Sequence, residues 1–217
     1  MSTISTAPTL VAVAHGSPDP RARGAVGSLI RLIRALRPGL PVELGHLETD
    51  EPSLADTLAR LRGRAVLVPL LFSRGYHVKH DIPAVVAHAA GRRLHVSTAA
   101  CLGPHPLLAE ALHSRLVEAG YRRGDAVVLA AAGSLDPESA AGTGYTAQML
   151  SARLGGARVL PAYASAAFPT VPEAVAALAG EGHRGVAVAS CFTAPGLFAT
   201  RCAEAYPGVV SALGGAH

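Results

Sequence analysis

The chain has 217 residues, half of them hydrophobic, which is enough for one large packed core or two small ones. The first residues lack the pattern of a secretory leader, and no apolar run approaches the about 18 residues of a membrane span, so we expect a cytoplasmic protein that does not bind membranes. The net charge of +4 suits an anionic partner, but the arginines are scattered and only nine residues are aromatic, which argues against nucleic acid.

Strand-like and helix-like segments alternate along the first half of the chain. The strand-like runs are short and apolar, and they lie at 9–14, 42–47 (the weakest), 65–71 and 94–100. Helical periodicity is present at 22–37, after a capping box at Ser53-x-x-Asp56, and from Pro106 to Ala119. Each of these segments follows one of the strand-like runs. This alternation predicts a parallel sheet with helices, in which ligands bind beyond the carboxyl ends of the strands.

The second half of the chain repeats the first. LVAVAHGSPDP at 10–20 matches VVLAAAGSLDP at 127–137, an offset of 117 residues. The same offset pairs Val42 with Val159 and Pro52 with Pro169. Further on, 65–81 matches 185–202, and Leu102-Gly103 matches Leu213-Gly214. We therefore predict a duplicated small domain, with a first copy at 1–122 and a second at 123–217.

Side chains that can bind metals follow the predicted strands of the first copy. His15, Glu48, His77 and His105 come after the first, second, third and fourth strand, respectively. Imidazoles with a carboxylate are suitable ligands for a borderline divalent ion, and they leave coordination positions open for a substrate. The alternative is that some of the ten histidines simply lie in loops by chance.

The two copies differ at these positions. Ala132 stands at the position of His15, Tyr163 at that of His46, and Phe198 at that of His77. If these histidines were needed only for folding, the second copy would have little reason to lack all three at the matching positions. The asymmetry favours one working site in the first copy and a structural role for the second.

Two other motifs suggest different functions. Gly142-x-Gly144-x-x-Ala147 resembles part of a dinucleotide fingerprint, but it does not directly follow a strand, and we interpret it as a helix-entry turn. His-Gly-Ser at 15–17 could belong to a hydrolase, yet the chain contains no G-x-S-x-G nucleophile motif. Neither motif supports a function of its own.

The motifs HGSPDPRA, GHLETDEPSL and VLVPLLFSRGYHVKHDIP, taken together, resemble the class II chelatases of the CbiX/SirB family, which insert metal into sirohydrochlorin. The resemblance covers about residues 9–120. The family has a long form in which two homologous domains are fused and the amino-terminal one holds the site. The resemblance implies an α/β protein with two tandem chelatase-like (flavodoxin-like) domains related by a pseudo-two-fold axis, each a small parallel sheet flanked by helices. Because a tandem repeat can provide this pairing within one chain, we expect a monomer, with a homodimer as the alternative.

The resemblance also implies roles for individual residues. His15 and His77 would be the metal-binding and catalytic histidines, and Glu48 would bind the metal or relay protons. Because sirohydrochlorin carries many carboxylates, the loop residues Ser17, Arg21, Arg23, Arg74 and Lys79 are candidate tetrapyrrole contacts, unless they are ordinary solvated surface. His80 departs from the residue types common in the family, so it could be an added ligand or could tune the entrance.

The expected reaction is the insertion of Fe²⁺ or Co²⁺, with Ni²⁺ as a further alternative, into sirohydrochlorin for siroheme or cobalamin biosynthesis. The metal would be a substrate, and we expect no tightly bound cofactor. Neutral imidazoles, with a pKa of about 6.5, can both hold an ion weakly and accept a pyrrole proton. The alternative is a non-catalytic metal or tetrapyrrole carrier that uses the same histidines.

Overall fold

The computed structural model describes residues 7–89, 93–205 and 209–211. The chain forms two compact units. The first contains the described residues up to Leu71 together with Tyr76–Cys101, and the second contains Phe72–Gly75 and the described residues from Leu102 onward. Within the part of the chain that the structure describes, every helix is too short or too polar to cross a membrane. The domain boundary at residue 122 concerns the sequence repeat and stays a prediction.

The first unit alternates strands and helices, as predicted. Its elements are β1 (Thr9–Ala14), α1 (Pro20–Leu36), β2 (Val42–His46), α2 (Leu54–Arg60), β3 (Gly63–Pro69), a single turn of π-helix (His77–Asp81), α3 (Ile82–Ala89) and β4 (Leu94–Thr98). The strands form one parallel sheet in the order β2-β1-β3-β4. Because β1 lies between β2 and β3, the turns that follow these three strands emerge side by side at one edge.

Local sequence signals determine where the helices of this unit begin. The Asp19 carboxylate accepts a hydrogen bond from the Arg21 N–H at the start of α1, and the Ser53 hydroxyl accepts one from the Asp56 N–H at the start of α2. One face of the sheet buries its apolar side chains against α2 and α3, in a core of Val11, Val13, Leu54, Leu58, Ala65, Leu67, Ile82 and Leu94. This packing holds the strand ends in a fixed relation to one another.

The second unit has the same strand order. Its elements are α4 (Pro106–Glu118), β5 (Ala126–Ala131), α5 (Pro137–Arg153), β6 (Val159–Tyr163), α6 (Val171–Gly180), β7 (Val186–Ser190), α7 (Leu197–Ala205) and β8 (Val209–Ser211). The parallel sheet runs β6-β5-β7-β8. Gly142 and Gly144 lie inside α5, so the interpretation of their motif as a helix-entry turn is wrong. Leu213-Gly214 lies outside the described residues.

Helix α4 packs within the second unit, although the repeat places its sequence in the first copy. Its Leu108, Leu112 and Leu116 recur every fourth residue and form one apolar face. They are buried in a core that includes Leu129 of β5 and Leu150 of α5. Compact unit and sequence copy therefore differ at Phe72–Gly75 and at 102–122.

Candidate metal site

Three side chains meet at the carboxyl edge of the first sheet. His15 directly follows β1, Glu48 lies two residues beyond β2, and His77 begins the π-helical turn after β3. A ligand atom of each lies within 4.8 Å of the others. The three residues lie close together, as the sequence predicts, because β1 pairs in parallel with both β2 and β3. Metal binding itself stays a prediction.

A glycine allows two of the turns to lie against each other. Gly16 has a φ of +98°, a conformation that residues with a side chain rarely adopt. A Cβ atom at Gly16 would lie 1.8 Å from the carbonyl oxygen of Glu48. The close approach is held by the Glu48 N–H, which donates to the His15 carbonyl oxygen at 2.8 Å. The glycine therefore brings Glu48 next to His15.

The two imidazoles face each other through the same type of nitrogen. Their Nε2 atoms are 3.0 Å apart, and the rings meet edge to face with centroids 4.6 Å apart. The other nitrogen of each ring has an oxygen partner: the Gly16 carbonyl lies 3.1 Å from His15 Nδ1, and a carboxylate oxygen of Asp81 lies 2.6 Å from His77 Nδ1. Because a carbonyl or carboxylate oxygen can only accept, each Nδ1 is placed to donate. The two Nε2 atoms then lie at hydrogen-bond distance from each other, which a shared proton or a cation beside both of them can satisfy.

This arrangement suits a cation at the point between the two Nε2 atoms. Imidazole–metal bonds are about 2.0–2.1 Å long. With the nitrogens 3.0 Å apart, two such bonds meet at roughly a right angle, as neighbouring ligands do in octahedral or square-planar coordination. Glu48 is exposed and can add an oxygen ligand, and the remaining positions are left to water or substrate. Fe²⁺, Co²⁺ and Ni²⁺ all accept this ligand set.

Three of the predicted tetrapyrrole contacts follow β1. Ser17 lies in the turn, but Arg21 and Arg23 lie at the start of α1 and not in a loop as predicted. The Ser17 N–H donates to an Asp50 carboxylate oxygen at 2.9 Å, and Arg23 lies 3.4 Å from the same carboxylate. Arg21 pairs with Asp19 at 2.6 Å, and this hydrogen bond lowers the pKa of the Asp19 carboxyl. The side chains of both arginines are more than half exposed.

The other two predicted contacts lie in different surroundings. Arg74 belongs to the second unit, where it is 3.5 Å from Glu138 and largely exposed. Lys79 is half-buried on the π-helical turn of the first unit, two residues after His77. These two cations are thus assigned to separate compact units, and their contact with a tetrapyrrole stays a prediction.

The remaining strand-end histidines have other surroundings. His46 is 5 % exposed and its Nδ1 donates to the Pro52 carbonyl at 3.1 Å, a structural role. His105 belongs to the second unit, where its Nδ1 accepts the Leu107 N–H at the start of α4. Within the described residues, the group of candidate metal ligands leaves out His105, so the expected fourth strand end does not contribute. His80 is exposed and its ring lies 4.6 Å from that of Tyr76.

Sequence reasoning missed Asp81. It lies four residues after His77, a spacing that places two side chains on the same face of a helical turn. An acidic residue four positions after a candidate ligand histidine was the available signal. It went unused because the segment after β3 carries no clear helical pattern until Ile82.

Comparison with known proteins places the chain in a family. The CbiX family model matches residues 9–119 and 126–205. A sirohydrochlorin cobaltochelatase of Methanosarcina acetivorans is 26 % identical over 123 residues, which cover 51 % of this chain and 95 % of the relative. A sirohydrochlorin ferrochelatase of Bacillus subtilis is 27 % identical over 169 residues, 74 % of this chain and 64 % of the relative.

Solved structures share the fold. SirB from Bacillus subtilis with Fe³⁺ superposes with a TM-score of 0.76 at 21 % identity, covering 96 % of this chain and 88 % of that one. CbiX, described as the terminal enzyme of siroheme biosynthesis in denitrifying bacteria, gives 0.65 at 16 % identity over 94 % of this chain and 89 % of that one. The predicted α/β fold with two parallel sheets is confirmed. Since the family model matches most of its length, the chain belongs to the CbiX family.

Proposed function

We propose that this chain is a chelatase that inserts a divalent metal ion into sirohydrochlorin. The observation that carries the proposal is the pair of imidazole Nε2 atoms 3.0 Å apart at a strand-end edge, with Glu48 as a third candidate ligand, in a chain of the CbiX family. Relatives named sirohydrochlorin cobaltochelatase and sirohydrochlorin ferrochelatase support the substrate. They also leave Co²⁺ and Fe²⁺ as alternative metals, and hence cobalamin and siroheme as alternative products.

Metal insertion requires an ion to lose its water and a macrocycle to lose two pyrrole N–H protons. In the proposed mechanism, His15 and His77 hold the ion through Nε2 while it sheds water. As the ion moves to the macrocycle, each freed imidazole nitrogen accepts one of the two pyrrole protons. Glu48, exposed beside them, balances the charge of the ion or carries a proton to solvent. So few protein ligands let the ion be handed over rather than retained.

The substrate's carboxylates need cations to position them. We propose that Arg21 and Arg23, at the start of α1, exchange their Asp19 and Asp50 partners for substrate carboxylates, with the loop held in shape by Ser17. Arg74 and Lys79 are proposed as further contacts. A monomeric state, a cytoplasmic location and a domain boundary at residue 122 also stay predictions.

Anaerobic insertion assays test the proposal. The purified protein is mixed with sirohydrochlorin and Fe²⁺, Co²⁺ or Ni²⁺, and the absorbance change of the macrocycle is followed. We expect the wild type to accelerate insertion of at least one metal, and His77→Ala to lose at least about 100-fold of that rate. His88→Ala is the matched control, because His88 is an exposed histidine of the same unit whose Nδ1 donates to the Ala84 carbonyl.

The carrier alternative predicts a different result in the same assay. A carrier would bind metal or tetrapyrrole in stoichiometric amounts and leave the rate of insertion unchanged. That outcome would overturn the proposal. Comparing rates across the three metals identifies the one that the site handles best.

A further inference from the structure

We propose that Asp81 is a positioning residue, one that holds His77 in the single orientation and tautomer able to present a metal-binding nitrogen. The inference rests on the proposed function and deepens it. Its evidence is the 2.6 Å contact between His77 Nδ1 and an Asp81 carboxylate oxygen. A charge-assisted hydrogen bond of this length is among the stronger kinds of protein hydrogen bond.

The π-helical turn supplies the geometry. His77 begins the turn and Asp81 ends it, and the Ile82 N–H closes it by donating to the His77 carbonyl. Single π-helical turns recur at functional sites because they reset the direction of side chains relative to the helix that follows. Here the turn brings a carboxylate against the far side of the imidazole while leaving both side chains partly open to solvent.

The contact determines which nitrogen of His77 is available. With Nδ1–H donated to Asp81, the lone pair lies at Nε2, 3.0 Å from Nε2 of His15. If the proton were at Nε2, His77 could not bind an ion at that point. Loss of a carboxylate partner behind a ligating imidazole typically costs 10–100-fold in metal affinity or activity.

The second unit separates this role from a role in folding. Ala65 of β3 and Val186 of β7 have equivalent partners in their sheets, and this register places Phe198 at the position of His77 and Cys202 at that of Asp81. Cys202 is 2 % exposed and packs in the core of its unit. The same strand order therefore forms without the carboxylate, and histidine and carboxylate are replaced together.

A structural alternative exists, since Asp81 immediately precedes α3 and an acidic residue stabilises a helix amino terminus. That role would change stability and leave the His77 tautomer as it is. The ¹⁵N chemical shifts of the imidazole, recorded at a pH where it is neutral, report the tautomer directly. We expect the Nδ1–H form in the wild type and a gain of the Nε2–H form in Asp81→Ala.

Cobalt titration provides the second measurement, without any tetrapyrrole. We expect Asp81→Ala to weaken Co²⁺ binding, followed by its visible absorption, about 10–100-fold. Asp81→Asn, whose amide oxygen can still accept the Nδ1–H, should lose less Co²⁺ affinity than Asp81→Ala. If Asp81→Ala fails to fold, the affinity of Asp81→Asn is the measurement that tests the inference. Glu118→Gln is the control for charge, because it removes an exposed carboxylate paired with Arg115 at 2.7 Å. It should leave affinity within about twofold.

The outcomes separate this inference from the proposed function. Wild-type Co²⁺ affinity and an unchanged tautomer in Asp81→Ala would overturn the positioning role, even if insertion is observed. A weakened site with a changed tautomer, in a protein that does not accelerate insertion, would support the positioning role and overturn the chelatase proposal. If the wild type binds no Co²⁺, the tautomer alone decides.

Discussion

The turn after β1 and the turn after β5 have nearly the same backbone and different chemistry. In the first unit, the Glu48 N–H donates to the His15 carbonyl at 2.8 Å. In the second, the Ser165 N–H donates to the Ala132 carbonyl at 2.9 Å. The same hydrogen bond thus joins a histidine and a carboxylate in one unit and two small residues in the other. The backbone of this edge does not depend on the candidate metal-binding side chains.

The glycines extend the comparison. Gly16 and Gly133 have φ values of +98° and +88°, and a Cβ atom at either would lie 1.8 Å from a carbonyl oxygen. At the position of His77 the second unit has Phe198, an apolar side chain whose ring stacks with that of Phe192. The two units therefore share a backbone scaffold. The first unit places the candidate metal ligands on it, and the second places small or apolar side chains at the same positions.

The largest effect is expected from giving the first unit the residues of the second. The double variant His15→Ala, His77→Phe should keep its fold and lose metal insertion by at least about 100-fold. Anaerobic insertion kinetics measure the loss, and circular dichroism verifies the fold. The control is His105→Ala, which removes an exposed histidine that caps α4. If the double variant retains half of the wild-type rate, the two units do not differ in the way proposed.

Alanine at either glycine should destabilise its unit to a similar degree. Gly16→Ala and Gly133→Ala each combine a left-handed φ with a backbone clash, and we expect a loss of about 2–3 kcal/mol in the free energy of unfolding, measured with urea. Only Gly16→Ala should also weaken Co²⁺ binding, because it separates His15 from Glu48. An equal loss of Co²⁺ affinity in folded Gly133→Ala would contradict the assignment of the site to the first unit.

Glu48 tests whether the carboxylate adds to the two imidazoles. Glu48→Gln keeps the shape of the side chain and removes its charge, so insertion should slow by about 10-fold while the protein stays folded. Glu43→Gln, an exposed carboxylate on β2 of the same sheet, should change the rate by less than about twofold. Equal rates for the two variants would remove Glu48 from the mechanism.

The smallest effect is expected at the thiols of the second unit. Burial raises the pKa of Cys191 to about 12 and that of Cys202 to about 11, so both are protonated at neutral pH. Cys202→Ser should therefore change the insertion rate by less than about twofold. In native protein at pH 7.5, iodoacetamide should modify both thiols much more slowly than after unfolding. Rapid native-state labelling of Cys202 would contradict its place in the core.

Much of the fold and part of the site were accessible from the sequence, for physical reasons. Short apolar runs alternating with amphipathic helices determine a parallel sheet, and strand order places His15, Glu48 and His77 at one edge. The sequence pattern does not show which sheet each helix packs against. The apolar face of α4 fits either copy equally well in sequence, and only packing assigns it to the second unit.

Two side-chain roles were also beyond the pattern. His105 follows a strand as the candidate ligands do, but its ring caps α4 instead of joining them. Asp81 lies four residues after His77 in the sequence, but this spacing indicates a contact only once the segment after β3 is seen to form a π-helical turn. In both cases the decisive fact is a local hydrogen bond, which spacing in the sequence does not determine.

Counting bound metal tests most directly the claim that the ligand set belongs to the first unit alone. Equilibrium dialysis at a saturating Co²⁺ concentration should find one specifically bound ion per wild-type chain and none in the variant His15→Ala, His77→Ala. The variant Ser165→Ala, altered at the matching turn of the second unit, should still bind one. A second specifically bound ion in the wild type, or an ion retained by the double variant, would contradict the account.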